Sequence, residues 1–121
     1  MSRGHSLGWM KSGLAPTERP SMLDIAWAAG IYEGEGDVYQ TQKLFRIAVN
    51  QKDPWILHRL RTLFGGSVKK YVTRGYLKHC EFYRWCLHGP RARGFATTIW
   101  HFLSPRRKGQ IRPGLLQKAL A

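Results

Sequence analysis

Two carboxylates end an apolar stretch, WAAGIYEGEG at residues 27–36, in a chain that is otherwise strongly basic. If this stretch is a helix, Glu33 and Glu35 lie at its carboxyl end, where the helix dipole disfavours negative charge. A divalent cation would relieve that cost, and carboxylate oxygens are ligands that suit Mg²⁺. Metal ions held by carboxylates are a common device for hydrolysing phosphodiesters. The alternative for either glutamate taken alone is a solvated surface acid.

Small residues recur at every fourth position of the same stretch. Ala26, Gly30 and Gly34 would form one stripe along a helix face, called here the small-residue stripe. Each interior glycine costs about 1 kcal/mol relative to alanine, and close approach by another helix usually compensates for it. The chain offers no second helix of this kind, so the simplest partner is the same helix of a second copy across a two-fold axis. Packing inside one chain is the alternative.

Residue patterns predict the elements around this helix. Ser21 is a typical N-cap residue, and Gly36 a typical left-handed helix stop. Two segments with β-branched and aromatic residues at strand spacing predict hairpins that turn near residues 42–43 and 74–75. An antiparallel sheet results, with helices covering one face.

The helices after the first hairpin have their own end signals. Asp53 and Pro54 predict the start of the second helix, and Gly65–Gly66 its end. A third helix follows the second hairpin, then a basic connection at residues 104–111 and a short helix from about Pro113. Trp55, Trp85 and Trp100 are expected in the core. The fold class is therefore α+β, ordered helix, hairpin, helix, hairpin, helix, helix.

Composition points to a polyanionic partner. The chain has 121 residues, and 20 basic against seven acidic residues give a formal net charge of +13. This charge favours nucleic acid first and an anionic membrane surface second. No apolar run approaches the roughly 20 residues of a membrane span, and the first residues lack a signal-peptide centre. We expect a disordered basic tail at residues 1–20, which could alternatively touch DNA, one domain at residues 21–121, and a reducing cytoplasmic location.

The residues AAGIYEGEG at 28–36 resemble the LAGLIDADG motif of homing endonucleases. Ala28 stands where the family has leucine, and both acids are glutamate rather than aspartate. The later segments FRIAVNQKDPWILHRLRTLFGGSV, RWCLHG and FLSPRRKGQI also resemble the family, so the likeness extends over about residues 22–112. The resemblance implies an αββαββα fold whose saddle-shaped antiparallel sheet, with its helices on one face, straddles DNA. One motif copy implies the homodimeric branch, which cuts long pseudo-palindromic sites.

The resemblance also assigns roles to residues. Glu35 matches the acid that binds the catalytic metal, Mg²⁺, for which Mn²⁺ or Ca²⁺ can substitute in binding, whereas Glu33 matches a more structural acid. Ala26, Gly30 and Gly34 match the dimer interface. Gln51 matches a glutamine that holds water near the metals, with an ordinary strand-end polar residue as the alternative. Lys108, then Arg106, are the preferred matches to a basic residue near the site, although Arg107 also competes.

Basic residues interleaved with tyrosines in the two hairpins are expected to contact DNA through the free sheet face. These residues are Lys43, Arg46, Lys69, Lys70, Arg74, Lys78 and Arg84. For each one singly, a solvated strand cation is the alternative.

The resulting hypothesis is a homodimeric, site-specific DNA endonuclease of a mobile element, whether encoded in an intron, in an intein or free-standing. An RNA maturase or a cleavage-inactive DNA-binding protein of the same fold is the main rival. A basic protein that coats nucleic acid without sequence preference is a third possibility, but it needs no carboxylates at a helix end.

Overall fold

The computed structural model describes residues 13–74 and 79–120. The elements in chain order are helix α1 (Met22–Glu35), strands β1 (Gly36–Gln40) and β2 (Phe45–Gln51), helix α2 (Trp55–Phe64), strands β3 (Ser67–Arg74) and β4 (His79–His88), helix α3 (Gly89–Ile99), a 3₁₀ turn (Trp100–Phe102) and helix α4 (Pro105–Leu120). The predicted α+β class and the predicted order of helices and hairpins are confirmed.

The four strands form one antiparallel sheet in the order β1-β2-β4-β3. Side chains alternate between its two faces. Ile47 pairs with Leu87 and Val49 with Trp85, and these four side chains join the hydrophobic core with buried residues of all four helices. The residues between them, such as Arg46 and Arg84, point to the opposite side, which we call the open face. The helices therefore pack against one side of the sheet only.

Helix α1 begins and ends by two different mechanisms. Ser21 Oγ accepts the amide hydrogen of Asp24, and the Asp24 carboxylate accepts that of Ser21, so the predicted cap is confirmed. The predicted left-handed stop at Gly36 is wrong, because Gly36 has extended backbone (φ −73°, ψ 159°) and begins β1. Glycine is needed there for space instead, since a Cβ would overlap the ring of the fully buried Tyr32.

Helix α2 starts where Asp53 Oδ1 accepts the amide hydrogen of Trp55 (2.9 Å). Its predicted end is confirmed, because Gly65 and Gly66 adopt positive φ angles of 80° and 97°. Trp85 is buried and donates its indole N–H to the Gly65 carbonyl (2.8 Å). Trp55 was expected in the core, but its first-turn position leaves the side chain 66% exposed.

Helix α4 corrects the prediction of a basic connection followed by a short helix from Pro113. The helix begins at Pro105 and continues through Pro113. An interior proline costs about 3 kcal/mol, but tertiary contacts compensate for it. Ile111 is fully buried, Gly114 lies against Phe45, and Gln40 donates to the Gln110 carbonyl (2.6 Å).

Part of the predicted N-terminal tail belongs to the fold. Leu14 and Gly66 exchange backbone hydrogen bonds of 2.9 and 2.8 Å, and Arg91 donates to the Gly13 and Leu14 carbonyls. Thr17 adds a bond to the Thr62 carbonyl at the end of α2. The domain therefore includes residues 13–20, while residues 1–12 lie outside the described part. Among the described residues, no helix has the length and apolar character to cross a membrane.

Candidate metal and nucleic-acid site

The two glutamates of the opening motif have different surroundings. Both belong to the last turn of α1. Glu33 is half-buried and both its carboxylate oxygens accept hydrogen bonds from Ser104, the residue before α4, whereas Glu35, the last residue of α1, is exposed to solvent. No hydrogen bond or ion pair of the Glu35 carboxylate is found among the described residues. Glu35 is therefore the acid that remains available to a ligand.

Glu33 joins the carboxyl end of α1 to the amino end of α4. One carboxylate oxygen accepts the Ser104 amide hydrogen (2.8 Å), and the other accepts the Ser104 hydroxyl (2.8 Å). These hydrogen bonds, and to a smaller extent the charges of Arg107 and Arg106, lower the pKa of Glu33 below its ordinary value. An anion at this position also complements the positive end of the α4 dipole. Glu33 thus has the role of a helix clamp.

The three consecutive basic residues after Ser104 point in different directions. Arg107 is buried, donates to the Glu33 carbonyl (3.1 Å) and Gln110 Oε1 (3.0 Å), and lies over the Tyr32 ring. Arg106 is exposed, with a terminal nitrogen 3.9 Å from Glu33. Lys108 places its ammonium group over the Trp100 ring (5.8 Å). The contacts of Arg107 thus give it a structural role, whereas Arg106 is exposed and lies beside the end of α1.

Strand register brings Glu35 to one end of the sheet together with Gln51. Gly36 pairs with Val49, so Glu35 precedes the first paired residue of β1 on the side toward Asn50 and Gln51. Gln51 is the last residue of β2, half-buried, and pairs with Tyr83. A carboxylate and a primary amide thus lie at the same end of the sheet.

No described residue fills the small-residue stripe at its two glycines. Ala26 is half-buried, but Gly30 and Gly34 are exposed, and a Cβ built on either glycine meets no described atom within 4 Å. Leu23, which lies on the same face, is 82% exposed. Packing of the two glycines inside one chain, the alternative considered above, is therefore wrong for the described residues.

The predicted DNA-contacting residues divide between several surfaces. Arg46, Lys69 and Arg84 lie on the open face by strand alternation. Lys70 and Arg74 have the opposite alternation, and Lys70 pairs with Glu81 (2.8 Å). The remaining two are Lys43, exposed in the β1–β2 turn, and Lys78, which lies outside the described residues.

His88 lies on the open face beside Arg46, its register partner. Burial, followed by the charges of Arg46 and Lys69, lowers the pKa of His88 below its ordinary value. His88 is therefore neutral at pH 7. The positive charges of Arg46 and Lys69 on the same face favour an anion such as phosphate.

The available oxygen ligands suit a hard divalent cation but do not complete a metal site among the described residues. The carboxylate of Glu35 and the amide oxygen of Gln51 are oxygen ligands of the kind that Mg²⁺ prefers. Within residues 13–74 and 79–120, no group of three His, Cys, Asp or Glu side chains could hold a metal ion. A full coordination shell would need a second Glu35, phosphate oxygens and water.

Two residues of this region were not singled out from the sequence. Ser104 anchors Glu33, and Asn50 Oδ1 accepts from Arg84 Nε (2.8 Å) on the open face. A serine before a proline is a common helix start and could have indicated the first. Nothing local indicates the second, since the two residues lie 34 positions apart.

Comparison with known proteins found no protein similar to this chain. Neither the protein-family models, nor the curated proteins, nor the solved structures contain a match to this chain.

Proposed function

We propose that this chain is a homodimeric, site-specific DNA endonuclease of the LAGLIDADG homing type. The observation that carries the proposal is the end of α1. There an exposed Glu35 lies on the same helix as Gly30 and Gly34, whose stripe no described residue fills, in a chain of charge +13. The helix dipole disfavours a carboxylate at a helix carboxyl end, and a bound cation would offset that cost.

The arrangement of elements supports the same proposal. The order αββαββα is present from α1 to α3, and the helices leave the open face of the sheet free. A two-stranded antiparallel ribbon fits the major groove of B-DNA. In the proposed dimer the small-residue stripes of two α1 helices pack together, two sheets form a saddle, and the target is a pseudo-palindrome.

The proposed reaction is hydrolysis of one phosphodiester in each strand. Two Glu35 carboxylates near the two-fold axis would hold Mg²⁺, which supplies charge stabilisation of the phosphate and a more acidic water. Gln51 would orient the attacking water at the same end of the sheet. Arg106, which lies beside the end of α1, and Lys108 are the candidates to stabilise charge on the phosphate. Staggered cuts with short 3′ overhangs are the expected product.

Incubation with a library of candidate insertion-site DNA and Mg²⁺ tests this function. Wild type should give double-strand breaks at defined sites, Glu35→Gln should bind those sites without cutting them, and Glu18→Gln should cut like wild type. Glu18 is a matched control because it is an exposed acid outside the motif, and its partner Arg59 (3.0 Å) also contacts Asp24 at the end of α1 opposite to Glu35.

Two other outcomes would assign the chain differently. Sequence-selective binding with no cleavage by wild type, in Mg²⁺ or in Mn²⁺, would favour a maturase or a cleavage-inactive DNA-binding protein. Salt-sensitive binding with no sequence preference would favour a protein that coats nucleic acid.

A further inference from the structure

Arg84 lies in the middle of the open face. It belongs to β4, one of the two central strands, and its register partners are Asn50 on β2 and Lys69 on the edge strand β3. When a sheet lies over a DNA groove, its central strands face the base edges and its outer strands approach the phosphates on either side. The position of Arg84 therefore favours contact with bases, and that of Lys69 favours contact with phosphate.

The Arg84 side chain is held in one orientation before any ligand binds. Its Nε donates to Asn50 Oδ1 (2.8 Å), and its guanidinium lies over the rings of Tyr71 (4.9 Å) and Phe82 (5.8 Å). The two rings stack on each other with centroids 5.5 Å apart. Of the guanidinium nitrogens, only Nε donates a hydrogen bond among the described residues, so the two terminal nitrogens keep their donors available.

The other central-strand arginine of the open face is arranged differently. Arg46 forms an ion pair with Asp37 (3.7 Å) and lies over Tyr39. Arg84 has no carboxylate partner within residues 13–74 and 79–120. A guanidinium that is oriented but not neutralised is ready to bind an acceptor pair, and it loses little side-chain entropy when it does so.

We propose that Arg84 is a specificity-determining residue that donates its two terminal nitrogens to O6 and N7 of a guanine in the major groove. This base presents two acceptors at the spacing of the guanidinium fork, and the pairing is the commonest specific arginine contact. Two copies related by a two-fold axis read one guanine in each half-site. The inference rests on the proposed function, since it requires DNA on the open face.

Selection of bound sequences from a randomised duplex library tests the assignment, with Ca²⁺ in place of Mg²⁺ so that binding is measured without cleavage. Wild type, Arg84→Gln and Arg84→Lys are compared, with Lys69→Gln as the neighbouring cation on the edge strand. Thermal unfolding of each variant shows that the fold is retained. Arg84→Lys keeps the charge but loses the planar fork.

Wild type should select a guanine at one symmetric pair of positions. Both Arg84 variants should lose that preference alone, by roughly 5- to 150-fold for each half-site. Lys69→Gln should keep the selected sequence, lose affinity evenly over all sequences, and reduce the salt dependence by about one counterion.

The two possible failures are distinguishable. If Arg84→Gln keeps the base preference and loses affinity evenly, Arg84 contacts phosphate, and the inference is overturned while DNA recognition stands. If wild type itself selects no sequence, site-specific recognition fails and the inference fails with it.

Discussion

Replacement of Gly30 by alanine should change folding stability and self-association in opposite directions. Gly30 is exposed in the interior of α1, and an added Cβ meets no described atom within 4 Å. Within one copy the substitution therefore causes no overlap and removes the conformational freedom of a helical glycine. The free energy of unfolding of the monomer should rise by about 0.5–1 kcal/mol.

The same methyl group opposes a dimer that packs through the small-residue stripe. Two-fold symmetry places two new methyl groups in the interface, and overpacking costs typically about 1–3 kcal/mol. Since 1.4 kcal/mol corresponds to a tenfold change in affinity, the dimer Kd should rise about 5- to 140-fold.

Sedimentation equilibrium over a range of protein concentrations measures the Kd, and urea unfolding at several concentrations separates monomer stability from association. Gly94→Ala is the matched control, because Gly94 is exposed in α3 and its added Cβ also meets no described atom within 4 Å. It should gain stability without a change in Kd. An unchanged Kd for Gly30→Ala, or a wild type that stays monomeric at every concentration, would refute the assignment of the stripe.

Three further predictions concern the interior and the α1–α4 junction. Glu33→Gln should lower the free energy of unfolding at pH 7. The difference from wild type should vanish as the pH falls below 4.5 through the lowered pKa of Glu33, because a carboxyl group with a depressed pKa contributes stability only while it is ionised. Urea unfolding of both proteins from pH 7 to 3 measures this difference, and a difference that stays constant with pH would contradict the role of the Glu33 carboxylate in joining α1 to α4. Gly36→Ala should cost about 1–3 kcal/mol through overlap with the Tyr32 ring, as thermal unfolding would show; a neutral result would mean that the ring moves aside freely. Burial raises the pKa of Tyr32 to about 12, so the stability that this neutral phenol contributes, intact below pH 10, should decline between pH 10 and 12. If Tyr32→Phe removes the decline, the Tyr32 phenol is its source. If the decline is unchanged in Tyr32→Phe, another group causes it.

Much of the backbone could be predicted because its signals are local. The Ser21–Asp24 cap, the Gly65–Gly66 helix end and the two hairpins depend on residues a few positions apart. The order of the elements likewise predicted that the helices cover one face of the sheet. Gly36 shows the limit of such reasoning. The glycine suggested a left-handed backbone at the helix end, but glycine is needed there because a Cβ would overlap the ring of Tyr32.

Tryptophan and proline positions show a second limit. Trp55 has the composition of a core residue, but its place in the first turn of α2 leaves it exposed. Pro113 is a typical helix breaker, but burial of Ile111 and the contacts of Gly114 keep α4 continuous. In both cases tertiary packing outweighs a local preference of a few kcal/mol.

The sequence by itself determined the net charge, the order of helices and strands, and the presence of two carboxylates and two glycines at the end of one helix. These properties follow from composition and short-range spacing. Only the tertiary structure decided that the Glu33 carboxylate is hydrogen-bonded to Ser104, 71 positions away, while Glu35 remains exposed. It also decided that Asn50 orients Arg84, 34 positions away. The physical reason is that hydrogen bonds and burial join residues that chain folding brings together, and a local pattern contains no record of those distant partners.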